Sequence, residues 1–192
     1  MPGRMIFWMG MILVASATAA FAHEDCEQAA KGSYRRSSAR YEVPDVALVS
    51  SNGSEVGLRA LLGGGPVVLN FIFTSCTSIC PVMSATFSEL RREIGPDRVR
   101  FVSISIDPEH DGPARLREYA LRYAPDPSWH LVTGQRETIV RVQQAFDAYR
   151  GGKVNHVPLT FLRASGDGPW VRIEGLVPAA DLAREVRRLE AP

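Results

Sequence analysis

Apolar and polar residues along the chain follow two different periods, one typical of strands and one typical of helices. Nearly continuous β-branched and aromatic runs predict strands that are buried on both faces, in "PVVLNFIF" and "RVRFVSISID". Shorter runs predict strands in "SWHLVTG", "VPLTFLRA" and "WVRIEG". Helical spacing predicts a helix over residues 81–93, with Val82, Phe87 and Leu90 on its apolar face. Three more helices are predicted in "GPARLREYALRYA", "RETIVRVQQAFDAY" and "AADLAREVRRL".

Turn signals and element order together predict the fold class. Asn52-Gly53 is a strong hairpin signal between two short strands, the first of them near residues 46–49. Strands that alternate with helices form an α/β domain with parallel central strands, and the closing pair of strands makes the sheet mixed. We therefore predict a thioredoxin-like fold, with a central mixed sheet flanked by helices and an N-terminal β-hairpin.

The N-terminus, "MPGRMIFWMGMILVASATAAFAHEDC", has the pattern of a secretory signal peptide over residues 1–22. Arg4 supplies the positive charge, an apolar segment follows, and "AFA" before His23 is an A-x-A cleavage site. The apolar segment is marginal for a membrane span of about 20 residues, so a retained membrane anchor is the alternative. In either case we expect a periplasmic or otherwise exported protein, in which disulfides can form.

Composition bounds what the rest of the chain does. The 192 residues are 45% hydrophobic and 22% charged, which suits one globular domain with a short appendage. The polar residues 23–40 are expected to form a flexible tail, and residues 41–192 the folded domain. A net charge of +1 gives no electrostatic basis for binding nucleic acid.

Two cysteines, Cys76 and Cys80, follow the first central strand and stand where Pro81 opens a helix. Free N–H groups and the helix dipole at such a position stabilise thiolates and lower their pKa. The pair can form a disulfide or share a soft metal ion: copper(I) suits few thiolate ligands, whereas structural zinc needs four ligands. Two buried cysteines with only a structural role are the alternative. The third cysteine, Cys26, is read as a lone residue of the tail, with an intermolecular disulfide as the other interpretation.

Histidine is the natural third ligand beside two thiolates, and the chain contains four histidines. His156 follows a Gly-rich loop and precedes a strand, so it can reach the sheet edge that carries the cysteines. His110 follows a central strand at the same edge and is read as an exposed loop residue. His130 begins a strand and is expected at the opposite end, in a structural role. His23 would become the new N-terminus after cleavage, where it could chelate copper(II).

The motifs "FTSCTSICP", "SIDPEHDGP", "WHLVTG" and "VNHVPLTFL" together resemble the Sco/SenC family of copper-handling proteins. The resemblance covers roughly residues 43–189. It implies a thioredoxin-like fold, a membrane-facing location, and delivery of copper to the dinuclear copper centre of cytochrome c oxidase. It also implies that Cys76, Cys80 and His156 bind one copper ion per chain.

Asp107 maps onto the aspartate of the family's D-P-x-x-D element, which the resemblance assigns to copper transfer or partner contact. A strand-end turn formed with Pro108 is the structural alternative. The chain also departs from the family pattern. Many members carry an aspartate before the ligand histidine and a small hydroxyl residue after it, where this chain has Asn155 and Val157. Pro158 resembles the cis-proline that faces the redox pair of thioredoxins, which keeps thiol exchange in contention.

Three functions are consistent with these residues. The first is a metallochaperone that needs a thiol reductant and passes copper to a cytochrome c oxidase subunit or another cuproenzyme. The second is an exported thiol-disulfide oxidoreductase that reduces the cysteines of a copper site; Cys76 and Cys80 would turn over, and His156 would be dispensable. The third is a peroxiredoxin-like thiol peroxidase, which the residues "NFIFTSC" before Cys76 disfavour because they lack the usual peroxidase pattern.

Overall fold

A mixed sheet of eight strands forms the centre of the computed structural model, which describes residues 34–123, 128–166 and 168–190. The strands are β1 (Tyr34–Ala39), β2 (Ala47–Ser50), β3 (Glu55–Gly57), β4 (Val67–Ile72), β5 (Arg100–Ser105), β6 (Trp129–Thr133), β7 (Leu159–Arg163) and β8 (Trp170–Gly175). The helices are α1 (Leu58–Leu62), α2 (Ile79–Ile94), α3 (Pro113–Tyr123), α4 (Arg136–Ala145) and α5 (Ala179–Glu190), with a 3₁₀ turn at Lys153–Asn155.

The strand order is β1-β8-β7-β4-β5-β6-β2-β3. Strands β4, β5 and β6 are parallel, whereas β7 and β8 run antiparallel to their neighbours. Strands β2 and β3 form the predicted hairpin. Every residue of β4 is buried, as expected for a central strand covered on both faces. The predicted α/β fold with a central mixed sheet is confirmed.

Two hydrophobic clusters lie on the two faces of the sheet, because successive side chains of β4 point to opposite sides. Val68 and Ile72 join the cluster that contains the buried residues of α2, α3 and α5. Leu69 and Phe71 join the cluster that contains those of α1 and α4. The end of β4 that leads into Cys76 is therefore held rigidly from both sides.

The helix α2 is longer than predicted, and one residue of its apolar face was assigned wrongly. Phe87 and Leu90 are buried, as expected, but Val82 is 46% exposed and Met83 takes the inward position. Val82 is the fourth residue of the helix and lies on its outward face, whereas Cys80 and Met83 in the same turn face the core.

The predicted tail, residues 23–40, ends earlier than expected, because Tyr34–Ala39 forms β1 at the edge of the sheet beside β8. Its sequence, "YRRSSA", is polar, and polar contacts fix it: Tyr34 donates to Asp181 at 2.8 Å and Arg36 pairs with Glu185 at 2.9 Å. Composition therefore gave no strand signal. The predicted signal segment, His23 and Cys26 lie outside the described residues. Within the residues that are described, none of the helices has the length and apolar character needed to span a membrane.

Candidate metal centre

Cys76 and Cys80 lie side by side where β4 passes into α2. Cys76 belongs to the loop before the helix, and Cys80 is the second helical residue. The side chain of Ser78, at the N-cap position, makes no capping hydrogen bond. Instead, the backbone N–H of Cys80 donates to Sγ of Cys76 at 3.4 Å. The Cys76 sulfur thus accepts from an amide that the first helical turn leaves without an intrahelical partner.

The two thiols have opposite pKa shifts. Burial alone would raise the pKa of Cys76, but hydrogen bonds from the backbone N–H groups of Cys80 and Ser78 outweigh it, so that pKa lies below its ordinary value. Burial raises the pKa of Cys80 far above its usual range, and the nearby Cys76 sulfur raises it further. Both residues are present as thiols. At neutral pH the pair therefore carries one activated sulfur and one protonated, buried sulfur.

His156 lies at the same edge of the sheet, at the end of the 3₁₀ turn. One ring nitrogen, Nδ1, donates to the backbone of Phe71, whereas the buried Nε2 has no hydrogen-bond partner among the described residues. Burial lowers the pKa of His156 and outweighs that hydrogen bond, which keeps the ring neutral. A neutral imidazole with a bonded Nδ1 and a free Nε2 lone pair has the form that binds metal ions.

Phe73 connects the histidine with the cysteines. Its carbonyl accepts from the Cys76 amide at 3.1 Å, and its own amide donates to the Cys80 sulfur. Its ring meets the His156 ring edge-on, with 6.1 Å between centroids. The structure therefore brings the three predicted ligands to one edge of the sheet. Their ligand atoms do not all lie within 4.8 Å of one another, so a shared ion requires these side chains to draw closer together.

Asp107 lies at the carboxyl end of β5, and its carboxylate is 7% exposed. Oδ2 accepts a short hydrogen bond from Nζ of Lys153, and Oδ1 lies 2.9 Å from Nδ1 of His110. Burial would raise the pKa of Asp107, but the hydrogen bonds from Lys153 and His110 hold it below the usual range. Asp107 is therefore an ionised carboxylate with both oxygens engaged.

A different set of ligand atoms does lie within 4.8 Å of one another, those of Asp107, Glu109 and His110. Lys153 pairs with the first carboxylate and Arg136 with the second. These two cations already neutralise the acidic charge, so the cluster behaves as an ion-pair network rather than as a metal site. His110 is 68% exposed, which agrees with its prediction as an exposed loop residue.

Sequence reasoning missed Asp111, the second aspartate of the D-P-x-x-D element. Its carboxylate is fully buried and accepts hydrogen bonds from the Thr74 amide at 2.9 Å, the Thr74 hydroxyl at 2.5 Å and the Ser105 hydroxyl at 2.6 Å. Thr74 lies two residues before Cys76, so Asp111 fixes the loop that leads into the thiol pair. The spacing of the element was the available signal for it.

The remaining predictions concern His130 and Pro158. His130 lies in β6, at the end of the sheet where β4 and β5 begin, opposite to the cysteines as expected. Burial lowers its pKa, and the charge of Arg100 adds to this effect. The described peptide bonds are trans, including the bond before Pro158, so the likeness to a thioredoxin cis-proline was wrong.

Comparison with known proteins places the chain in a family. The family model described as SCO1/SenC matches residues 35–189. The chain is 34% identical over 101 residues to the SCO1 protein homolog of Bacillus subtilis, a match that covers 51% of this chain and 52% of that protein. It spans about half the length of the first curated relatives that it matches.

Two solved structures are similar over most of their own length. BsSco, a member of the Sco family of cytochrome c oxidase assembly proteins in which a disulfide switch was identified, is 29% identical with a TM-score of 0.65. That match covers 78% of this chain and 94% of BsSco. The copper-bound structure of Bradyrhizobium japonicum ScoI is 27% identical with a TM-score of 0.64, over 77% of this chain and 98% of ScoI. The chain belongs to the SCO1/SenC family.

Proposed function

We propose that this chain is an exported copper metallochaperone that binds one copper ion through Cys76, Cys80 and His156. One observation carries the proposal. The buried Nε2 of His156 has no hydrogen-bond partner within the described part of the chain, and it lies at the sheet edge that also presents two adjacent thiols. A buried nitrogen lone pair without a partner is costly unless a ligand completes it.

The donor set suits copper better than zinc. Two thiolates and one imidazole form a low-coordinate, soft site, which favours copper(I). Structural zinc takes four ligands, and the described residues place no fourth thiolate or imidazole beside these three. Loading copper(I) releases the proton of Cys80, because the metal binds the thiolate form. The hydrogen bonds from backbone N–H groups to the Cys76 sulfur favour its thiolate form, so Cys76 would be the first ligand to bind the ion.

Release of the copper ion follows from the same residues. A target with more sulfur or nitrogen ligands would take the ion by ligand exchange, starting at His156, whose side chain is less buried than the two cysteines. Oxidation of the two copper-binding thiolates of Cys76 and Cys80 to a disulfide would remove two ligands and pass two electrons to the oxidant. A thiol reductant is therefore a required partner. The disulfide switch identified in BsSco supports this part of the proposal.

We assign the dinuclear copper centre of cytochrome c oxidase as the target, with another cuproenzyme as the alternative. Support comes from BsSco, which belongs to the Sco family of cytochrome c oxidase assembly proteins. Exposed apolar side chains also flank the site: Val82 follows Cys80 by two residues, and Val154 and Val157 stand on either side of His156. Exposed apolar residues around a site suit contact with another protein.

Location follows from the N-terminal sequence. A signal segment over residues 1–22 exports the domain to the periplasm or its equivalent, where it is released by cleavage or stays anchored to the membrane by that segment. Comparing the mass of the mature protein in membrane and soluble fractions decides between the two. A full-length mass in the membrane fraction indicates the anchor.

The function is tested by anaerobic titration of the reduced domain with copper(I) against a competing chelator. The expected result is one tightly bound equivalent, weakened at least about tenfold, or roughly 1.4 kcal/mol, in His156→Ala. The variant Cys76→Ser/Cys80→Ser should lose tight binding, and His130→Ala, at the far end of the sheet, should bind as the wild type does. Binding that is weak, or indifferent to His156, contradicts the proposal.

A second function, thiol-disulfide oxidoreductase, is favoured by a specific observation. The sulfur of Cys76 has a lowered pKa and that of Cys80 a strongly raised one, as in a pair with one attacking and one buried resolving thiol. This enzyme would reduce the cysteines of a copper site by exchanging disulfide for dithiol. Reduction of a target disulfide peptide by the reduced protein that survives in His156→Ala but not in Cys76→Ser would favour it over the chaperone.

A further inference from the structure

We propose that the ion pair of Asp107 and Lys153, here called the clasp, is a positioning device that holds the His156 segment at the thiol pair. The inference rests on the proposed copper function, since it assigns His156 as a ligand. It gives Asp107 a role different from direct contact with copper or with a partner protein. It also assigns a function to Lys153, which no motif in the sequence singled out.

The clasp joins a partly exposed lysine to a buried carboxylate. Nζ of Lys153 donates to Oδ2 of Asp107, and the two side chains are 35% and 7% exposed. The same Nζ lies 5.8 Å from the centroid of the Phe73 ring, over its face. The same ring also makes an edge-on contact with the ring of His156. One ammonium group therefore meets both the carboxylate and the ring against which the histidine packs.

The clasp acts on His156 through a short, rigid turn. Lys153 opens the 3₁₀ turn, and the His156 amide donates to the Lys153 carbonyl at 3.1 Å. Two glycines precede the turn, and Gly151 has a φ of 85°, a conformation that glycine adopts without steric cost; glycines restrict the backbone less than other residues do. Fixing Lys153 therefore fixes the backbone of His156. The two preceding glycines would not hold this turn in place by themselves.

The loop that carries Asp107 is itself anchored to the cysteine segment. The Asp111 amide donates to the Asp107 carbonyl at 2.9 Å, and the Asp111 carboxylate holds Thr74, two residues before Cys76. The single loop between β5 and α3 thus contacts the chain before each group of ligands. Asp111 fixes the thiol side, and the clasp fixes the histidine side.

This arrangement explains why Asp107 is not itself a ligand. Both carboxylate oxygens are engaged, one by Lys153 and one by His110. A copper ion at Asp107 would have to displace an ammonium group from a buried carboxylate. Breaking such a pair leaves an uncompensated buried charge, which is strongly unfavourable.

The test compares Lys153→Met, which removes the charge but keeps the side-chain length, with Asp107→Asn and the double variant. In copper(I)-loaded protein, transfer of the ion to a chelator should be about tenfold faster in each single variant, and no faster in the double variant than in either single one. Lys153→Arg should restore most of the slow transfer. Arg150→Met, three residues earlier on the same segment, is the matched control and should transfer at the wild-type rate.

Two further readouts separate a positioning role from a merely structural one and from failure of the copper function. Copper(II)-loaded Lys153→Met should show weakened nitrogen hyperfine coupling in its electron paramagnetic resonance spectrum. In the metal-free protein, amide hydrogen exchange at residues 153–157 should quicken in Lys153→Met and Asp107→Asn but not in Arg150→Met. If the wild type binds no copper, the proposed function is overturned, and the clasp is then tested by amide hydrogen exchange alone. The clasp would be overturned if Lys153→Met showed the same hydrogen exchange and copper transfer rates as the wild type. It would also be overturned if the effects of Lys153→Met and Asp107→Asn were additive in the double variant.

Discussion

The backbone amide of Cys80 donates a hydrogen bond to the sulfur of Cys76 at 3.4 Å, so the first turn of α2 is capped by a side chain that is also a candidate copper ligand. The same contact makes the two sulfurs unequal, because only one of them receives the helix amides. Chain geometry, rather than the identity of the residues between the cysteines, therefore decides which sulfur reacts first.

Cys76 is expected to alkylate faster than Cys80 throughout the neutral range. The amides of Cys80 and Ser78 lower the pKa of Cys76, whereas burial raises that of Cys80. The rate of iodoacetamide modification against pH, read by mass spectrometry of each peptide, should show Cys76 titrating below the ordinary thiol value of about 8.5. Equal rates at the two positions would refute the assignment.

Asp107 is expected to make folding stability depend on pH in the acidic range. Its pKa in the folded protein lies below that of the unfolded chain, so the contribution is complete above the unfolded value of about 3.9. It is lost as the pH falls through the lower folded pKa. Urea unfolding in steps from about pH 6 down to the acid limit of folding should show a steeper loss of unfolding free energy for the wild type than for Asp107→Asn. Parallel curves would count against the ion pair with Lys153.

Asp111→Ala is expected to destabilise the domain by about 3 kcal/mol, because three donors on Thr74 and Ser105 lose a buried acceptor. Glu118→Ala, which removes an exposed carboxylate from the neighbouring helix, is the control and should change stability by less than about 0.5 kcal/mol. Chemical denaturation measures both. An Asp111→Ala protein as stable as the control would show that the loop before Cys76 is held by other contacts.

A chain that starts at residue 41 is expected to be less stable than one that starts at residue 33. The shorter chain lacks β1, which leaves β8 as an open edge and removes Arg36 from the buried Glu185. Glu185 keeps its pair with Arg188, so the loss of Arg36 should cost about 1 kcal/mol in addition to the lost strand pairing. Thermal unfolding of the two chains gives the comparison, and coincident transitions would mean that β1 is dispensable.

The sequence predicted the central part of the fold well, because strands such as β4 and β5 are buried on both faces and read as continuous apolar runs. It failed at β1, where ion pairs and hydrogen bonds replace apolar contacts. In the site, the cysteines and His156 were found from their chemistry. Lys153 was not, because its role depends on the approach of two loops that are 46 residues apart in the chain.

The central claim, that Cys76, Cys80 and His156 together bind one copper ion, is tested most directly by X-ray absorption of the copper(I)-loaded reduced domain. We expect a copper environment with two sulfur neighbours and one nitrogen neighbour in the wild type, and loss of the nitrogen in His156→Ala with both sulfurs retained. A spectrum with sulfur neighbours alone in the wild type, or one unchanged by His156→Ala, would contradict the claim.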